Sequence, residues 1–122
     1  MTIRRDQIKA VDVPQELVNV QEIGGEVAVR GMDLSAYMAF ESARKRLLTP
    51  RDDETQEQAN QRGGGVLIPQ VLAATVIADD GLPVYTQAEW ASFAAKHSEV
   101  SMRLWDIALK LSGLDVDAEK KA

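Results

Sequence analysis

The sequence predicts an α+β fold, in which an N-terminal β-hairpin or small antiparallel sheet packs with about four α-helices. Apolar and polar residues alternate on both sides of Gly24-Gly25, the pattern of two strands around a tight turn. Beyond residue 33, apolar residues recur at helical spacing behind Asp, Thr and Ser residues that suit helix N-caps. The length of 122 residues fits one domain, 1–122.

The strand pair is predicted over residues 17–30. Val18 and Val20 point to one side of the first strand, and Val27 and Val29 do the same in the second. Gly24-Gly25 supplies the positive φ that a two-residue turn needs. The polar residues 1–8 before this hairpin are expected to be flexible.

A first helix is predicted over residues 34–48. Asp33 is its N-cap, and Ala36, Phe40, Ala43 and Leu47 form one apolar stripe. Thr49-Pro50 ends the helix, because the residue before a proline is pushed out of the helical region. Its basic triplet Arg44-Lys45-Arg46 is interpreted as a solvated helix face.

Residues 50–65 are the compositional outlier of the chain. No large apolar residue occurs between Arg51 and Arg62, and three glycines follow. Such a segment buries too little to offset its ordering entropy, so we predict a mobile polar loop. The apolar residues 66–78 then predict a buried helix with Pro69 in its first turn, although Thr75, Val76 and Ile77 leave a strand open there.

The last third of the chain predicts two capped helices. Thr86 and Glu89 form a capping box for a helix over 87–96, with Trp90 and Phe93 in the core. Ser98 is the expected N-cap of a helix over 99–112, which Gly113 ends. The charged tail, 114–122, is expected to be frayed.

The composition restricts the function. No cysteine is present, which removes disulfides, thiolate zinc sites and cysteine nucleophiles and fits a reducing compartment. A net charge of −5 argues against binding nucleic acid, which needs a cationic face. No apolar run of about 20 residues is present, so no membrane span is expected.

Candidate reactive groups do not form a pattern. His97 has no second histidine or cysteine with which to share a metal, Asp79-Asp80-Gly81 does not match a calcium-loop spacing, and Gly63-Gly64-Gly65 lacks the lysine of a P-loop. No nucleophile–base pair is identifiable. We therefore predict no enzyme activity, no catalytic residue, no metal and no cofactor.

The order of elements resembles that of a known family. Its parts are the hairpin with Gly24–Met32, the helix after Asp33, the segment Ala78–Thr86, and the final helices ending Leu109–Leu114. Over residues 10–116 this order resembles the tail assembly chaperones of long-tailed (siphovirus-type) bacteriophages. The polar stretch 50–65 is longer than expected for that family.

The resemblance implies a function without catalysis. Such a chaperone binds and solubilises the tape measure protein, helps to recruit tail tube subunits, works in the host cytoplasm and is absent from the mature virion. In many members a ribosomal frameshift makes a longer product that engages the tube protein, and Lys120-Lys121 fits an A-rich slippery run. Self-association is left open. The alternatives are a head–tail or tail joining protein retained in the virion and a small cytosolic enzyme or regulator.

Three residues are the predicted partner-binding side chains. Aromatic residues dominate binding hot spots, and Trp105 lies on the flank of its helix stripe beside Leu109. We expect a groove between the hairpin and the terminal helix pair, with Trp105, Leu109 and Tyr37 near it.

Overall fold

The computed structural model describes residues 2, 4, 6 and 14–114. Within them, the chain forms four helices and three strands, which confirms the predicted α+β fold with its N-terminal hairpin. The elements are β1 (Gln15–Val20), β2 (Gly25–Arg30), α1 (Leu34–Leu47), α2 (Gln56–Thr75), β3 (Val76–Ile77), α3 (Gln87–Lys96) and α4 (Ser98–Leu111). Two predictions concern residues that the structure largely does not describe. These are the flexibility of residues 1–8, of which only 2, 4 and 6 are described, and the fraying of the tail after residue 114.

The sheet has the order β1-β2-β3 and is antiparallel throughout. Val18 lies opposite Val27, as the alternation predicts. Val27 and Val29 are buried in the core, and the partly buried Val18 packs against it. The turn differs from the prediction, because it occupies residues 21–24 and leaves Gly25 inside β2. The amides of residues 23 and 24 both donate to the carbonyl of Val20, so the wider turn satisfies that carbonyl twice.

The prediction of a mobile polar loop over 50–65 is wrong from Gln56 onwards, where α2 begins. The Thr55 hydroxyl accepts from the Gln58 amide (3.1 Å), and the Gln58 side chain accepts from the Thr55 amide (2.9 Å). This capping box starts a 20-residue helix that buries Ala59 and Gly63. The first half of α2 has no large apolar residue, so its buried face is formed by small residues.

The longer α2 also changes the position of Pro69. Pro69 lies well inside the helix and not in its first turn, so it cannot donate to the carbonyl of Gly65. The helix ends at Thr75, and the strand that the β-branched residues left open is present as β3.

The two C-terminal helices agree with their predicted bounds to within one residue. Residue 97, and not Ser98, is the N-cap of α4, and its side chain makes no capping hydrogen bond. Gly113 has the positive φ, 79°, that its position after α4 predicts. Leu114 is not frayed, because its amide donates to the Leu109 carbonyl (2.8 Å) and its side chain packs against the core.

Candidate apolar docking site

An apolar cavity of about 200 Å³ lies between α1, α2 and α4. We call it the Trp105 cavity. Apolar side chains from the three helices, from the residue after α1 and from Leu114 form most of its wall. The described lining residues are Phe40, Glu41, Arg44, Leu48, Leu67, Trp105, Leu109 and Leu114.

The cavity exists because Trp105 lies beside the main apolar stripe of α4. Leu104 and Ala108 point directly into the core and are fully buried. Trp105 is one residue further around the helix and half-buried, and its ring packs edge-on against Phe40 of α1 at 6.0 Å. Such edge-to-face contacts add about 0.5–1.5 kcal/mol to area burial, so this wall of the cavity is well held.

Two charged residues form the outer rim. The Arg44 Nε lies 3.7 Å from Glu41 Oε1, and the two side chains are 44% and 27% exposed. The cavity therefore reaches the surface beside a partly solvated ion pair, which contributes little to stability. Arg44 can extend its aliphatic stem over the apolar wall while its guanidinium group stays in water.

Arg44 begins a basic end to α1. Lys45 and Arg46 follow it in the last helical turn, both are exposed, and neither makes an ion pair within the described part of the chain. Cations are favoured at a helix C-terminus by the helix dipole. This end of α1 is thus a local cationic surface on a chain of net charge −5.

The same face of α1 continues as exposed apolar surface towards the helix N-terminus. Tyr37 precedes Glu41 by four residues and Arg44 by seven, so helical spacing places it on the cavity side. Leu34 and Met38 flank it and are 77% and 60% exposed. We define the α1 face as Leu34, Tyr37, Met38, Glu41 and Arg44.

The three predicted partner-binding residues have different environments. Trp105 and Leu109 line the same cavity, but Leu109 is only 6% exposed and belongs to the core. Tyr37 is half-buried and is not among the lining residues. The Trp105 cavity does not lie where the groove was expected, because its described wall comes from α1, α2, α4 and their flanking residues, and not from the hairpin. A partner groove between the hairpin and the terminal helix pair stays a prediction.

Sequence reasoning missed the contribution of α1. Leu34 and Met38 are four residues apart outside the predicted core stripe, a spacing that marks a second apolar face. The basic triplet was interpreted as a solvated face, and it is exposed, but its first residue also lines the cavity.

The strongest electrostatic contact lies away from this cavity, before and within α2. The Arg62 side chain donates two hydrogen bonds to the Glu54 carboxylate, at 2.7 and 2.8 Å. These bonds, with a third from the Arg51 amide, lower the pKa of Glu54 to about 2, and the carboxylate raises the pKa of Arg62. The pair anchors the connection between α1 and α2, so we assign it a structural role.

Residues 14–114 and the three described N-terminal residues contain neither a metal-binding cluster nor a membrane-spanning helix. No group of three or more potential metal ligands comes together there. None of the helices described is both long and apolar enough to cross a bilayer.

The chain matches no protein-family model, and comparisons with curated proteins and with solved structures find no significant match. The Trp105 cavity and the α1 face are apolar surfaces of this chain that a partner could contact.

Proposed function

We propose that this protein is a tail assembly chaperone of a long-tailed bacteriophage. In this proposal it binds and solubilises the tape measure protein and helps to recruit tail tube subunits. The proposal is supported by the order of elements and, above all, by one observation. A surface-reaching apolar cavity is lined in part by the second half of α1, and the first half of the same helix exposes Leu34 and Met38, so this surface suits an apolar segment of another chain.

The size of the cavity suits one large side chain. A dry protein cavity of about 150 Å³ holds a benzene molecule, and the Trp105 cavity measures about 200 Å³. Burying one leucine or phenylalanine side chain contributes about 1.5–3 kcal/mol, which is too little for tight binding by itself. Weak contacts of this kind suit a chaperone that coats a long helix in many copies and is later displaced.

The charge of the chain is compatible with that role. A net charge of −5 keeps an assembly of many copies dispersed by mutual repulsion. The recognition mode is an amphipathic helix laid on an apolar surface. Action in the host cytoplasm, absence from the mature virion and a frameshift-extended form that engages the tube protein are further parts of the proposal.

Co-purification of the adjacent tape measure protein tests the proposal. The double variant Leu34→Ser/Met38→Ser removes two exposed apolar side chains from the α1 face. We expect about a tenfold or greater loss of retained tape measure protein, because the two side chains together contribute about 1.4–3 kcal/mol. Trp105→Ala should lower retention similarly, whereas Leu109→Ala is unsuitable because Leu109 is in the core.

The matched control is Leu82→Ser/Met102→Ser. It also removes two exposed apolar side chains, 62% and 44% exposed, from outside α1 and the cavity lining. Equal retention by both double variants and Trp105→Ala would reject the assigned surface. Mass spectrometry of purified virions tests the alternative, since a joining protein is retained there and a chaperone is missing.

A further inference from the structure

We propose that the segment bound by the α1 face is an amphipathic helix with an acidic first turn, lying antiparallel to α1. One large apolar side chain of that helix enters the Trp105 cavity. The inference rests on the proposed function and adds the chemistry and direction of the bound segment. It is carried by the arrangement of apolar and cationic groups along α1.

Apolar and cationic groups are segregated along α1. Leu34 and Met38 lie in its first half, while Arg44, Lys45 and Arg46 occupy its last turn. At about 1.5 Å per residue, Met38 and Arg44 are separated by about 9 Å along the axis. Side chains at i and i+7 of a partner helix are about 10 Å apart, so two of them reach the cavity and the Leu34–Met38 surface together.

Charge complementarity sets the direction. The positive side chains lie at the C-terminal end of α1, and acidic side chains are favoured in the first turn of any helix. Lys45 follows Met38 by seven residues, so helical spacing places both on one side of α1, whereas Arg46 lies about 100° further round. An antiparallel partner brings its acidic first turn beside Lys45 and opposes the two helix dipoles. A partner lying parallel to α1 would place its own last turn at the C-terminal end of α1. Acidic side chains are disfavoured in the last turn of a helix, so the parallel direction is the weaker one.

The cations available for this contact are identifiable. Arg44 is already paired with Glu41, whereas Lys45, on the same side of α1 as Leu34 and Met38, has no ion-pair partner in the described part of the chain. A phosphate-bearing ligand satisfies the cations but leaves the apolar half of the face uncovered. An apolar helix with carboxylates at one end satisfies both halves.

Fluorescence titration with designed peptides tests the proposal. The first peptide is a 14-residue amphipathic helix with leucines at i, i+3 and i+7 and three glutamates in its first turn. The second peptide has its three glutamates in the last turn. The third has three lysines in place of the first-turn glutamates. Trp90 is fully buried and Trp105 lines the cavity, so a response lost in Trp105→Phe locates binding there.

The expected order of affinity is first, second, third, with about a fivefold loss at each step because exposed ion pairs are individually weak. The variant Lys45→Gln should weaken the first peptide about two- to fivefold, and 0.5 M salt should reduce that difference. Its control, Lys96→Gln/Lys110→Gln, removes two last-turn lysines that belong to α3 and α4 and not to α1, and it should change affinity less than twofold.

Equal affinity for the three peptides, or equal effects of the two lysine variants, would overturn the proposal. Dimerisation abolished by Leu34→Ser/Met38→Ser, with no peptide response, would also overturn it by showing that a second copy covers the face. A failure of the chaperone proposal gives a different result. In that case the unmodified protein does not retain the tape measure protein in the co-purification experiment.

Discussion

Replacing Gly63 of α2 by alanine tests how closely α2 approaches α1. A Cβ atom at residue 63 would lie 2.6 Å from the Leu48 Cδ2 and 2.8 Å from the Leu47 carbonyl oxygen. The Leu48 side chain can rotate away, but the Leu47 carbonyl belongs to the backbone at the end of α1. The two helices must therefore separate, which also disturbs the wall of the Trp105 cavity at Leu48.

The magnitude follows from two opposing effects. Alanine is favoured over glycine inside a helix by about 0.5–1 kcal/mol. Overfilling a packed contact costs about 1–3 kcal/mol. We expect Gly63→Ala to destabilise the protein by about 1–2 kcal/mol net. Gly65→Ala is the matched control, because residue 65 is exposed and its Cβ meets nothing within 4 Å, so it should stabilise by about 0.5–1 kcal/mol.

Urea unfolding followed by far-ultraviolet circular dichroism measures both changes. The free energies of unfolding of the two variants should differ by about 2 kcal/mol, and their Tm values by about 6–10 °C. A Gly63→Ala variant as stable as Gly65→Ala would refute the close contact between α2 and the end of α1. It would also remove the physical reason given for helix formation by this polar segment.

Two further variants probe particular polar groups. Because the Arg62 hydrogen bonds lower the pKa of Glu54 from 4.5 to about 2, its stabilisation is complete above pH 4.5 and lost as the pH falls towards 2. Urea unfolding at several pH values should therefore show Glu54→Gln less stable than the parent at pH 7 and the difference vanishing near pH 2; a constant difference would contradict this. Ser101 is 1% exposed, and its hydroxyl has no hydrogen-bond partner among the described residues, so Ser101→Ala should raise stability by about 0.5–1.5 kcal/mol in the same assay; a clear loss would contradict it.

The elements predicted correctly are those specified by local chemistry. Asp33 accepts a hydrogen bond from the Ala36 amide (2.8 Å), and Thr86 and Glu89 form the capping box that starts α3. In the hairpin, the two-residue alternation matches the observed pairing of Val18 with Val27. A cap or a strand period involves residues close in sequence, so the chain itself displays it.

The first half of α2 was missed because its stability comes from outside its own sequence. Its exposed face is polar, and the buried face uses Ala59 and Gly63, which composition does not identify as core residues. Gly63 packs against the end of α1, so its burial becomes favourable only when α1 is present. The capping box of Thr55 and Gln58 was a local signal for this helix start.

The candidate site was only partly predictable for a related reason. Trp105 and Leu109 could be selected from α4 alone, since an aromatic residue on the flank of a helix stripe has room to contact a second surface. That second surface is α1, whose Phe40 is 65 residues away in the sequence, and helical periodicity does not specify which helices become neighbours.

The basic end of α1 lies beside an apolar cavity only because α2 and α4 pack against α1. In the sequence, Arg44, Lys45 and Arg46 are three cations that water can solvate, and nothing near them in the chain indicates otherwise. In the fold, Arg44 contributes to the rim of an apolar cavity that α1 forms with α2 and α4. Lys45 follows Glu41 of that rim by four residues and makes no ion pair with any described residue. A solvated cation next to unfilled apolar surface distinguishes one end of a bound helix from the other. The direction in which a partner helix binds is therefore set by the packed helices together. Comparing a peptide that is acidic in its first turn with one that is acidic in its last turn measures that direction.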